Sequence, residues 1–125
     1  EQLHTKAPKE AEATECAAEI GGKSMFWDYT NRLYEITPSN NQLDPAQLVT
    51  IATELKLNKA AFESCLNSGK YADQIKKDYE KAIAAGARGT PHSIIITKDG
   101  DKLPLEGAQP LAAVKSLING LLKAN

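Results

Sequence analysis

Apolar residues recur at helical spacing along most of this chain and give way only once, near the C-terminal end, to a short β-branched run. Pro8 suits a first helical position. Lys9 to Ile20, rich in Ala and Glu, predicts a first helix that Gly21-Gly22 ends. Ser24 is a cap for a second helix through about Glu35, in which Phe26, Leu33 and Tyr34, with Met25, Tyr29 and Ile36 nearby, recur at helical spacing. Thr37-Pro38-Ser39-Asn40-Asn41 reads as a loop. Asp44-Pro45 then opens a third helix with Leu48, Ile51, Ala52 and Leu55 at i, i+3, i+4 and i+7. Asn58 caps a shorter fourth helix carrying Phe62, Cys65 and Leu66 and ending near Ser68-Gly69. Tyr71 to Ala85 predicts a fifth, with Ile75, Tyr79 and Ile83 on one stripe and Gly86 as its C-cap. A sixth spans Leu111 to Lys123, with Val114, Leu117, Ile118, Leu121 and Leu122 on its inner face.

Between the fifth and sixth helices the pattern changes. Proline has no N–H, so Pro91 can open a strand but not sit inside a central one, and Ile94 to Ile96 suit a pleated, half-buried surface. A strand from His92 is expected, then a turn at Asp99-Gly100, then a short strand Leu103-Pro104-Leu105 that its proline marks as an edge. Such a hairpin is marginal alone, so a missing N-terminal segment or a second copy is expected to complete the sheet. An X-Pro bond at a strand entrance is also a place where a cis peptide is held, leaving the backbone of Thr90 unpaired; the alternative is an ordinary trans proline.

At 125 residues, 42% of them hydrophobic, the chain is expected to form one domain at most. Fifteen basic residues against sixteen acidic ones, with no basic stripe interleaved with aromatics, argue against nucleic acid as a partner. No apolar run approaches the roughly 20 residues that span a bilayer, so no membrane insertion is expected. Glu1-Gln2-Leu3-His4 carries neither a basic region nor an apolar segment, so no signal peptide is read there, although a trimmed form would have lost one. No cofactor is called for. His4, His92 and the two cysteines lack the paired spacing of a zinc site. Trp27, Phe26 and Tyr29 read as helix-packing residues rather than a stacking platform. The mixed-sign run Lys76 to Lys81 reads as a solvated helix face.

Cysteine chemistry remains. Exchange of thiols and disulfides needs a thiolate at a helix N-terminus, with a resolving partner close by, and the chain contains no Cys-x-x-Cys. Cys16 falls mid-helix and Cys65 late in its helix, where the helix dipole does little for a thiolate. A structural disulfide between two packed helices is one reading, stabilising by about 4 kcal/mol through the loop it closes and fitting an oxidising compartment. Two buried free cysteines in a reducing compartment is the other.

Gly89-Thr90-Pro91 before a strand and Gly107-Ala108-Gln109-Pro110 before a last helix resemble the end of a thioredoxin fold. With Glu15-Cys16-Ala17-Ala18-Glu19, Met25-Phe26-Trp27-Asp28-Tyr29 and Phe62 to Lys70 in order upstream, the chain resembles the DsbA-like thiol–disulfide oxidoreductases of the bacterial envelope over nearly its whole length. The resemblance implies an α+β, α-rich fold: a helical insertion over 7–86, then a proline loop, hairpin and closing helix over 87–125. The N-terminal βαβ unit with its Cys-x-x-Cys is missing, and Glu1 to His4 match the tail of its second strand. It further implies periplasmic or other extracytoplasmic localisation and extended cysteine-containing polypeptides as partners. Thr90 becomes the backbone contact for such a client and Pro91 the cis residue that faces the redox cysteines. His92 is either a residue that tunes a nearby thiolate or a solvent-facing strand position. Arg88 stands close enough to the loop to meet a client carboxylate or thiolate, or simply faces solvent. The departure from the family pattern is the absent dithiol, without which this chain alone is expected to be inactive. Two alternatives stand beside this reading: a non-redox, thioredoxin-like glutathione-binding transferase or isomerase, and a helical interaction module without catalysis.

Overall fold

The computed structural model describes residues 4–38 and 41–123 and shows an α+β, helix-rich chain. Helices α1 (Ala7–Gly21), α2 (Lys23–Ile36), α3 (Ala46–Glu54), α4 (Lys59–Ser68) and α5 (Ala72–Ala84) precede strands β1 (His92–Ile96) and β2 (Lys102–Glu106), and α6 (Leu111–Lys123) follows. The contacts divide the chain into two compact units, with the boundary between Asp78 and Tyr79 inside α5. Of Glu1 to His4, matched above to a strand end, His4 belongs to no strand and Glu1 to Leu3 lie outside the described residues, as do Ser39 and Asn40 of the predicted loop.

The first unit is a helical bundle in which α1 touches α2, α3 and α4. Small residues explain the close approach: Ala13 and Ala17 are fully buried on the inner stripe of α1. At its end the backbone comes closer still, since a Cβ on Gly21 would lie 2.7 Å from Met25 and 2.9 Å from Leu57. Gly22 then adopts φ 87° and turns the chain into α2 at once, so Ser24 falls inside the first turn and makes no capping bond. A 3.6-residue period through Tyr29 and Leu33, both buried, sends Trp27 and Tyr34 to the opposite face, where they are 64% and 79% exposed. Neither is the packing residue the spacing predicts. Phe26 meets Trp27 edge-on, with ring centroids 5.1 Å apart.

Helices α3 and α4 start in the same way. The Asp44 carboxylate accepts from the Ala46 N–H at 2.9 Å, and the Asn58 side chain accepts from the Ala61 N–H at 2.9 Å. The residue before each cap, Leu43 or Leu57, is buried with the residue four positions after it, Leu48 or Phe62, the pattern of a hydrophobic staple. The end of α3 is less comfortable. Lys56 sits at φ 60°, its N–H bonded to the Thr53 carbonyl and that of Leu57 to the Ala52 carbonyl, a Schellman turn in which glycine is the unstrained choice. Gly86 fills the equivalent place after α5 at φ 95°. Lys56→Gly is therefore expected to raise stability by about 1 kcal/mol, read as a higher urea midpoint with an unchanged slope.

The second unit holds the antiparallel hairpin and α6. Its register pairs His92 with Glu106, Ile94 with Pro104 and Ile96 with Lys102. No residue of α6 is buried, and Leu117, Ile118 and Leu122 on its expected inner face are 36%, 41% and 70% exposed. The apolar spacing was there to form a helix, but a two-stranded hairpin offers too little surface to bury one.

Candidate functional site

The hairpin loop fixes which side of each strand faces outward. Lys98, Asp99 and Gly100 form the loop, and Gly100, at φ 90°, donates its N–H to the Thr97 carbonyl. Thr97 donates its own N–H to the Asp101 carbonyl at 3.0 Å, and its hydroxyl oxygen accepts from the Asp101 N–H at 3.1 Å. At the other end the Gly107 N–H donates to the Pro91 carbonyl at 2.9 Å. Alternation along an antiparallel ladder then points the backbone groups of Ser93 and Ile95 toward β2 and those of His92, Ile94 and Ile96 away from it. The same alternation places Pro104 opposite Ile94 with its missing N–H on the outer edge of β2. One edge of the hairpin is thus blunted, and the other keeps its donors and acceptors.

The open edge begins at a corner where the Thr90–Pro91 peptide bond is cis. A small cavity of about 170 Å³ lies there, lined by Arg88 to His92 and by Glu106 and Gly107. Thr90 and Pro91 are exposed, and His92 is half-buried. The His92 Nε2 is buried and has no hydrogen-bond partner. Glu106 stands directly opposite His92, its carbonyl receiving the Gln109 side-chain amide at 2.7 Å. Thr90, Pro91 and His92, the residues predicted to dock a client, line this cavity, and so do Glu106 and Gly107, which sequence reasoning passed over. The signal for them was countable: a three-residue loop at 98–100 sets Glu106 across from His92.

Cys16 and Cys65 are far from thiol chemistry. They form a disulfide joining α1 to α4, with Cα atoms 5.8 Å apart and residues only 1% and 6% exposed. Polar ties flank it. The Lys9 ammonium donates to the Leu66 carbonyl at 2.6 Å, completing the end of α4. Past Gly69, Glu19 pairs with Lys70 and accepts from the Tyr71 hydroxyl at 2.6 Å. Lys70, with Tyr71, holds the Glu19 carboxyl below its usual range, while the hydrogen bond to that carboxylate pushes the Tyr71 phenol up to about 12. A larger groove of about 410 Å³ between α3 and α4 contains only one charged pair, Lys59 with Glu63, and no group poised for chemistry. Among the described residues no cluster of three metal-ligating side chains occurs, and no helix is long and apolar enough to cross a membrane.

A helix-rich insertion followed by a proline corner, an antiparallel hairpin and a last helix defines the class, and the sequence comparison agrees. Residues 9–119 match the DSBA-like thioredoxin domain, and the chain belongs to that family. Over 88 residues, 70% of its length, it is also 31% identical to a Na(+)/H(+) antiporter NhaA from Herminiimonas arsenicoxydans. The chain spans about 13% of the length of that curated relative. No solved structure matches it.

Proposed function

We propose that this chain supplies the client-docking portion of a thiol–disulfide oxidoreductase acting on protein cysteines. The redox dithiol belongs to a Cys-x-x-Cys segment outside this sequence, and a neighbouring strand of that segment, or a second copy of the chain, completes the sheet along β1. An extended cysteine-containing polypeptide adds to the bare main chain at Thr90, a form of β-augmentation. Pro91 forms the corner that keeps this main chain clear. His92 stands beside the incoming sulfur, where an imidazole tunes a thiolate. Residues 7–86 form the helical cap, and 87–125 carry the loop, hairpin and closing helix.

The observation that carries this reading is the asymmetry of the hairpin. Pro104 removes a donor from one edge, while the edge that starts at the Thr90–Pro91 corner keeps all of its own. The disulfide supports a place on the extracytoplasmic, periplasmic side of the bacterial envelope.

Reduction of insulin by dithiothreitol tests the reading. The full-length protein should accelerate precipitation of the insulin B chain, and the 125-residue chain alone should leave the uncatalysed rate unchanged. Turnover by the chain alone, or none by the full-length protein, overturns it.

A further inference from the structure

In the helical unit Lys9, Arg32, Lys59 and Lys70 each have a carboxylate within ion-pairing distance. Arg88 has none among the described residues, although it is exposed and forms one wall of the cavity. The buried His92 Nε2 in the same cavity also has no partner. Glu106, on the opposite strand, supplies the only carboxylate in the lining. The corner is therefore polarised, with a guanidinium at the end where the chain enters from α5 and a carboxylate at the end where β2 leaves.

A guanidinium left open in this way is a fork of parallel N–H donors, matched in shape and charge by a carboxylate and repelled by another cation. Arg88 lies two residues before Thr90, within one side chain's reach of any extended segment seated on that main chain. We propose that Arg88 makes the corner selective for clients that carry an acidic side chain close in sequence to the reacting cysteine. The carboxylate docks at the Arg88 end, and Glu106 limits how far into the cavity an anion penetrates. The inference rests on the docking role proposed above and names the client class that role serves.

The test uses the full-length protein and three peptide disulfides identical except for Glu, Gln or Lys two residues from the cysteine. At low ionic strength kcat/KM should favour the Glu peptide over the Lys peptide by about fivefold, the effect of one exposed ion pair, with Gln between them. Near 1 M salt, where the screening length shrinks to about 3 Å, the preference should vanish. Arg88→Glu should reverse the order and Glu106→Gln should widen it. Both side chains lie at the surface, so circular dichroism should show an unaltered fold for each variant. Equal turnover of all three peptides by the wild-type protein overturns the selectivity and leaves the docking role standing. If no peptide is turned over, both fall.

Discussion

Replacing Cys16 and Cys65 together by alanine should lower the stability of the helical unit by about 4 kcal/mol, which for a unit of this size corresponds to a fall in Tm of about 20 °C. The disulfide joins positions 49 residues apart, so opening it releases a large part of the unfolded chain from a loop-closure constraint. Its position adds to the effect. Along α1 it lies between Lys9, which bonds to the Leu66 carbonyl of α4, and Glu19, which meets Lys70 and Tyr71 just past the end of α4. The flanking ties are half-exposed ion pairs and hydrogen bonds, each worth far less than the covalent link. Urea denaturation with and without reductant measures the difference. A midpoint that moves by less than the equivalent of 1 kcal/mol would mean that packing and the flanking polar ties hold α1 to α4 without the disulfide.

Most of the helical unit was legible because its signals are local. Pro8, Gly22, Asp44 and Asn58 mark helix ends through their own backbone chemistry, and Ile51, Ala52, Phe62 and Leu66 repeat with the helical period. Two buried leucines, Leu43 and Leu57, lie outside that period and escaped it. They follow a different rule, in which an apolar residue just before an Asp or Asn cap is paired with one four residues after it. Trp27 and Tyr34 failed for the opposite reason. Their apolar character suggested burial, but the angle they make with Tyr29 and Leu33 on the helix turns them outward. At the candidate corner, Thr90, Pro91 and His92 were marked by proline chemistry and by the family resemblance. Glu106 required the register, a non-local fact that only a hairpin of known loop length supplies.

Phe62→Ala should cost about 4 kcal/mol, comparable to loss of the disulfide, because it removes a fully buried ring from the centre of the bundle. Phe62 packs on Tyr29 with ring centroids 5.5 Å apart and planes tilted by 30°. Tyr29 is also fully buried and donates its hydroxyl to the Leu48 carbonyl at 2.8 Å, so burial pushes its phenol well up and fixes the ring in place. A ring held from its far end cannot swing into the space Phe62 leaves, and the cavity stays open. Tyr29→Phe, which removes only the hydrogen bond, should cost about 1 kcal/mol. Leu122→Ala, at a position 70% exposed on α6, should stay within about 0.5 kcal/mol of wild type in this chain. Every buried residue described precedes position 79, so the stability of the isolated chain resides in its helical unit, and the hairpin draws on no core of its own. Completion of the sheet along β1 would change that balance. In the full-length protein Leu122→Ala should then cost about 2 kcal/mol or more, and urea melts of the variant in the two contexts measure the difference; equal, negligible costs in both would mean that nothing covers α6.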